Sequence, residues 1–482
     1  MHAAQTTRAR IRPHDPANDD DFPVSVSARF GRLQFHASGK FRVLQFSDIQ
    51  DGPIVAKDTI RLIAAAVDAS RPDLVVFTGD QIAGYDGAYG KTYRKRRWDT
   101  SWGGMAATGR AMGTLVGSAL QSVSAVPAIS RVDQVRARRR DLAQTRDLVR
   151  RGAEEMLQPL VDRGVPFAIT YGIHDFQCGL DTGELDAIYR EFSGCLNPES
   201  TAAAPTVPRT QPGSGLPGQP IYVCEPGTFA LPVRDVDNTR NVLGLVLVDS
   251  GDYAREGGYG TPSGAALGFL RQVPTLIGAK SLVFQHTPMP QFYELLKPVP
   301  ATTAYAIQGY RRFDQHCYVL DGSKTQPGSY LGEGVSCPDR DCGEFDILRA
   351  GNGYIGLFAG QDHRNGFVGK LDGLLLGATP TAGFQTYGPV PAKRAARLIE
   401  FDIRHPYEPR TQLLEFGDLV GKPSGNKAYT FALSHVPTSA GDAVNLLRRP
   451  GVMAGVAAAA AGAIASVGNR IRAVTCRSYW RP

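Results

Sequence analysis

Six short apolar runs, each ending in a polar loop, set the limits on what this chain can fold into. They are FRVLQFS (41–47), PDLVVFTG (72–79), PFAITYG (166–172), LGLVLVDS (243–250), SLVFQHT (281–287) and YIGLFAG (354–360). Near-continuous, β-branched runs of this length suit strands covered on both faces. Between the first two, TIRLIAAAVDAS (59–70) has helical periodicity and predicts a β-α-β unit. The pattern specifies an α/β fold. In such folds the working residues gather in loops just past the strand ends.

Composition narrows the function classes. With 42% apolar and 21% charged residues in 482, the chain is globular rather than disordered or fibrous. Its 54 glycines and 33 prolines predict many turns and long functional loops. A net charge of +7 over this length is too diffuse to imply a nucleic-acid partner. Seven scattered cysteines do not form a disulfide framework, and the CPDRDC turn (337–342) lacks the second ligand pair of a structural zinc site. The N-terminal stretch MHAAQTTRARIRPHDPANDDD has no apolar secretion-signal core. Together these features predict a cytoplasmic protein with reduced thiols. Residues 451–468 are uncharged and rich in Ala and Gly, too weakly apolar for stable membrane insertion, and read as a docked helix or a loose tail.

Two stretches interrupt the core pattern. Residues 84–130 are rich in Gly, Ser and Ala, contain the basic run KTYRKRRW (91–98), and are expected to cover the strand-end edge as a mobile lid. Residues 131–163 read as one Arg-rich helix ending at Gly164. Such a basic cluster could hold an anionic substrate, but a solvated face with pairs such as Asp147–Arg151 is the simpler reading. Residues 198–220, rich in Pro, Thr, Gly and Gln, read as a linker or mobile loop.

Five strand ends carry side chains of metal-ligand type. They present Asp48 and Gln50 (SDIQD), Asp80 (TGDQ), His174 and Asp175 beside Ile173 (YGIHDF), His286 (FQHTP), and Gln361, Asp362 and His363 (AGQDHRN). A lone histidine is usually structural. Five such loops converging on one edge are a joint signal.

In order and spacing these motifs resemble the calcineurin-like metallophosphoesterases, in the branch related to purple acid phosphatases. The stretches LVLVDSGDY (245–253), QHTPMPQFYE (285–294), the GE of YLGEGV (330–335), GQDHRNGF (360–367) and GFQTYG (383–388) are similar to that branch. The resemblance spans residues 40–405 and implies a four-layer α/β/β/α sandwich with two divalent metals between its sheets. It implies an N-terminal extension over 1–39, an insertion at about 84–163, and a C-terminal extension over 406–482 with the Ala/Gly-rich helix. Asp48, Asp80, His286 and His363 fall on metal-ligand positions, Asp80 on the metal-bridging one. Three other ligand positions carry Gln50, Ile173 and Gln361.

A neutral amide is a weak ligand, and a hydrocarbon side chain cannot coordinate at all. The expected site therefore holds one divalent ion (Mn, Fe, Zn or Mg) at most, or none, with Gln50 and Gln361 as weak ligands and Ile173 as an apolar wall. His174 and Asp175 survive as an acid–base pair, with Asp48 and His363 beside them. The favoured expectation is a repurposed enzyme acting on a small, phosphorylated or otherwise anionic molecule. The alternatives are a single-metal phosphomonoesterase or phosphodiesterase and a non-catalytic binding protein.

Overall fold

A computed structural model describes residues 24–99, 131–199, 209–210, 216–425, 427–435, 437 and 440–447. The Ala/Gly-rich stretch 451–468 and residues 100–130 of the insertion lie outside them. In chain order the strands begin with β1 (Lys40–Phe46), β2 (Leu74–Thr78), β3 (Phe167–Thr170), β4 (Arg209–Thr210), β5 (Pro220–Glu225) and β6 (Thr228–Arg234). They continue with β7 (Asn241–Val248), β8 (Ser281–Gln285), β9 (Leu296–Val299), β10 (Ile307–Gln308) and β11 (Cys317–Leu320). The last are β12 (Tyr354–Ala359), β13 (Phe367–Leu371), β14 (Leu374–Ala378), β15 (Ala395–Asp402) and β16 (Arg410–Glu415). The helices are α1 (Val26–Phe30), α2 (Lys57–Ser70), α3 (Arg131–Asp162), α4 (Thr182–Tyr189), α5 (Gly264–Ile277), α6 (Glu344–Arg349), α7 (Phe416–Leu419), α8 (Lys427–His435) and α9 (Ala440–Leu447).

All six apolar runs are strands, and 59–70 is helical within α2. One sheet has the order β16-β15-β1-β2-β3 and the other β13-β14-β12-β8-β7-β6-β5-β4. The segment read as a linker adds β4 to the edge of the second sheet, paired antiparallel with β5. A small third sheet has the order β10-β11-β9.

The near-continuous apolar runs follow from four layers. Along β2, Leu74 and Val76 face the second sheet, while Val75 and Phe77 face α2 and α3. Along β7, Leu243, Leu245 and Leu247 face the first sheet, while Val246 and Val248 face α5 and α6. Each inner strand thus has an apolar partner on both faces, and polar residues at either parity would be buried without water. The fold is the expected α/β/β/α sandwich.

Parallel pairing aims the loops. β1, β2 and β3 run parallel, as do β7, β8 and β12. Their C-terminal ends emerge on one edge of the sandwich, where His286 Nδ1 meets the Thr78 carbonyl 3.0 Å away and joins the two sheets. Packing does not stop at residues 40 and 405. Leu33 and Phe35 lie in the inter-sheet core, and β16 and Phe416 continue the first sheet and its helical layer. Among the described residues, no helix is long and apolar enough to cross a membrane.

The buried carboxylate of Asp73 fastens the segment before β1. It accepts from the Ser27 amide and hydroxyl (3.3 and 3.0 Å), from the Arg42 amide (2.9 Å) and from His36 Nε2 (2.7 Å). Removing it leaves several buried donors unmatched. Asp73→Ala should lower the unfolding free energy by about 3 kcal/mol. Urea unfolding checks this, and a loss below about 1 kcal/mol would show that residues 24–39 are not part of the cooperative unit.

Candidate active site

Asp48 leaves β1 in a left-handed conformation (φ 51°), and Gln50, Asp80 and Gln361 do the same at 42°, 53° and 69°. Non-glycine residues held this way cost roughly 1–3 kcal/mol each and collect where a site fixes them. Glycines let the loops close on one another. A Cβ on Gly79 (φ +95°) would stand 2.6 Å from His286 Nδ1, and one on Gly172 would stand 2.2 Å from Asp80 Oδ1.

Asp80 is the hub. Its Oδ1 accepts the His174 amide (2.7 Å), and its Oδ2 accepts Gln50 Nε2 (2.8 Å). His286 Nε2 lies 3.3 Å and His174 Nε2 3.9 Å from that same Oδ2. Burial opposes ionisation of Asp80, but the charges of His286 and His174 outweigh it and hold the carboxyl well below its usual range. Asp48 is equally enclosed. Its Oδ2 accepts the Ser47 hydroxyl and the Gln361 amide, while Oδ1 has no hydrogen-bond partner and faces His363 Nε2 at 3.4 Å.

The histidine tautomers follow from their neighbours. His286 Nδ1 donates to the Thr78 carbonyl and His363 Nδ1 to the Tyr387 carbonyl (2.7 Å), because a carbonyl can only accept. Gln177 donates its Nε2 to the Lys95 carbonyl, so its Oε1 accepts from His174 Nδ1 (2.8 Å). All three rings therefore turn Nε2 toward Asp48 and Asp80. At His286 and His363 this sets a nitrogen lone pair against a carboxylate oxygen, an arrangement that needs a positive charge between them. His286 Nε2 and Asp48 Oδ1 are both buried without a hydrogen-bond partner. Burial lowers the affinity of His286 for a proton, yet Asp80 and Asp48 raise its pKa to about 10. A proton or a metal ion answers the same electrostatic demand. Asp48, Asp80 and His286 present donor atoms within 4.8 Å of one another, the one such group among the described residues, and this donor set fits a divalent cation.

Several expected roles change. Gln50 is not aimed as a metal ligand. Its Oε1 accepts from the Tyr85 hydroxyl (3.2 Å) and the Thr386 hydroxyl (2.6 Å), which forces its NH2 group onto Asp80. Gln361 Oε1 accepts from the Thr287 hydroxyl (3.4 Å), and this residue serves Asp48 only through its backbone amide. Asp175 does not orient His174. Its two oxygens accept the amides of Asp80, Gln81, Ile82 and Gly172, clamping two strand-end loops together, and Gln177 holds the imidazole instead. Burial and the charge of Asp80 push the Asp175 carboxyl up to about 8, against the pull of the Gly172 and Ile82 amides.

A cavity of about 250 Å³ opens onto these groups. Gln50, Asp80, Ile173, His174, Gln361 and His363 line one part of it, whereas Asp48, Asp175 and His286 lie behind the wall. The remainder is formed by Tyr253, Tyr259, Tyr310, Tyr387, Glu333 and Asn445, together with neighbouring backbone. Tyr387, Tyr253 and Glu333 lie in the quoted stretches GFQTYG, LVLVDSGDY and YLGEGV, so their motifs were visible although their roles were not. Nothing in the sequence marked Gln177, Tyr310 or Asn445.

The described start of the insertion reaches the site. Tyr85 packs edge-on against His174 with ring centroids 4.8 Å apart. Arg97 from the basic run is spent on Asp249, with both contacts at 2.8 Å, and stacks over Phe176. On α3, Arg146 pairs with Glu184 and Arg150 with Glu154, which is the solvated-face reading rather than an anion site.

The fold is similar to the sandwich of calcineurin-like metallophosphoesterases. In sequence the chain is similar to proteins named as purple acid phosphatases. Its relatives in Arabidopsis thaliana include "Probable inactive purple acid phosphatase 29", 22% identical over 405 residues, covering 79% of this chain and 82% of that protein. Another is "Probable inactive purple acid phosphatase 14", 21% identical over 410 residues, with 78% and 79% covered. A solved dimetal phosphatase from Danio rerio aligns over 78% of this chain and 99% of its own at 12% identity, with a TM-score of 0.36. No family model matches the chain.

The two neighbours of the His174 loop can be told apart by substitution. Asp175→Asn turns one acceptor into a second donor facing backbone amides and should cost about 2–3 kcal/mol of stability. Gln177→Leu should cost about 1 kcal/mol, because it removes one side-chain contact at each end. Equal losses in denaturant unfolding would mean that Asp175 is not the loop clamp.

Proposed function

We propose that this chain is a repurposed small-molecule enzyme of metallophosphoesterase descent, working with one divalent cation at most and with His174 as its acid–base group. The observation that supports it best is the shared tautomer of His174, His286 and His363, whose Nε2 atoms converge on Asp48 and Asp80. Asp48, Asp80 and His286 would hold the ion, with His363 Nε2 beside Asp48. The ion would supply Lewis acidity at the cavity wall.

The rest of the chemistry belongs to the protein. His174 Nε2 opens to the cavity and takes or returns a proton, while Gln177 fixes the tautomer that makes this possible. Tyr85 packs against the ring and limits its rotation. Ile173 lines the second ion position of the family with hydrocarbon, and Gln50 supplies an N–H to Asp80 where a second cation would otherwise neutralise it. The naming of both plant relatives as inactive agrees with the loss of ordinary phosphatase action. The scattered placing of the seven cysteines along the chain suits a reducing, cytoplasmic setting.

Elemental analysis after dialysis should find no more than one transition-metal ion per chain, and His286→Ala should weaken its binding at least about 100-fold. Two ions that resist dialysis would overturn the reading. A wild-type protein holding one ion and hydrolysing an aryl phosphate at ordinary enzyme rates would establish the single-metal phosphoesterase instead. Once the native substrate is in hand, His174→Ala should lower turnover by about 100-fold or more. The triple variant Gln50→His, Ile173→Asn, Gln361→His should bind a second ion and gain aryl phosphate hydrolysis while losing native activity. If native and phosphatase activities rise together, the cleft was never repurposed.

A further inference from the structure

The cavity is not closed by the phosphoesterase sandwich alone. Asn445, on α9 in the C-terminal extension, is 4% exposed and lines the same cavity as Asp80, His174 and His363. Its Oδ1 accepts the Gln308 amide (2.7 Å) of β10, beside Gly309 and Tyr310 of the cavity wall. The extension reaches this point along polar anchors. Ser424 donates its amide and hydroxyl to Asp58 (2.7 and 2.9 Å). On α8, the Ser434 hydroxyl donates to the Pro389 carbonyl (3.3 Å), and the Leu433 carbonyl accepts the Gly388 amide (3.4 Å). That loop bears Thr386, which bonds Gln50, and Tyr387, which stacks on His363 at 4.0 Å and holds its Nδ1.

We propose that α8 and α9 of the C-terminal extension form a movable wall of the cavity, latched by Asn445, that decides which molecules reach His174. The extension is fastened by hydrogen bonds more than by burial: Phe431 stays 64% and Leu447 56% exposed. Elements held in this way open at far lower cost than a packed core. Its root is suited to a hinge, since Gly421 sits at φ 89°, where other residues are strained. With Oδ1 engaged by Gln308, the Nδ2 group of Asn445 remains as a donor for a ligand oxygen on the wall the extension supplies. The assignment of a ligand to this wall rests on the proposed enzyme function, but the latch itself does not.

The test uses the full-length chain and diethyl pyrocarbonate, which acylates the free nitrogen of neutral imidazole. His174 is 23% exposed at its side chain and has its Nε2 toward the cavity, whereas His286 and His363 are 0% and 2% exposed and serve as internal controls. Mass spectrometry reads each site. In Asn445→Ala the rate at His174 should rise by about five- to tenfold, the shift in opening that one lost hydrogen bond permits, with His286 and His363 unchanged. Ser434→Ala should raise it less, since its anchor is longer. An unchanged His174 rate in both variants would overturn the latch. Equal acceleration at all three histidines would overturn it too, because the contact would then support the whole fold rather than one wall. Metal content measured on the same samples keeps the two ideas separate. Wild-type protein that retains two ions after dialysis defeats the proposed function and leaves the latch standing, whereas loss of the latch leaves the ion content of the protein unchanged.

Discussion

The carboxylate of Asp80 lies where the two sheets meet, and most of the site is arranged around its charge. One oxygen is tied to the His174 amide, the other to Gln50, with His286 of the opposite sheet 3.3 Å away. A buried carboxylate without such partners would be costly enough to neutralise itself or disrupt the fold. The left-handed turn at Asp80, the glycines at 79 and 172, and the Asp175 clamp all keep this charge in place. A positive group near His286 completes the balance, so a proton and a cation compete for one location.

Gln50 sits in this centre with both ends of its amide satisfied. It donates to Asp80 and accepts from Tyr85 and Thr386. Gln361 does something similar through its main chain toward Asp48. Ile173 needs no partner and presents hydrocarbon to the cavity. The backbone at 48, 50, 80 and 361 is strained. Strain of this kind persists only where the surroundings over-determine it. Asn445 of the C-terminal extension lines the same cavity.

Much of this was legible in the chain. The six apolar runs announced the inner strands, and the polar residues just beyond them announced the site. Both signals come from local rules: strand burial on two faces, and loops at parallel strand ends. Side-chain roles were less legible. Asp175 looked like the partner of His174 because it is adjacent in sequence, yet a 3-10 turn over Asp175–Cys178 swings it toward four backbone amides. Gln177 takes the ring instead, from a position that carries no recognisable motif. Gln50 read as a weak ligand, since only its distant neighbours Tyr85 and Thr386 fix which end of the amide faces Asp80.

The sequence by itself determined the layering, the order of the strand-end loops, and the presence of Gln50, Ile173 and Gln361 in those loops. These depend on residue type and short-range periodicity, which are written along the chain. Only the tertiary structure decided which histidine nitrogen faces inward, what holds each carboxylate, and that Asn445 reaches the cavity. Those outcomes rest on hydrogen bonds between residues far apart in the chain, such as Thr386 to Gln50, 336 positions away. Geometry at that range is set by how whole layers pack, and no local pattern records it.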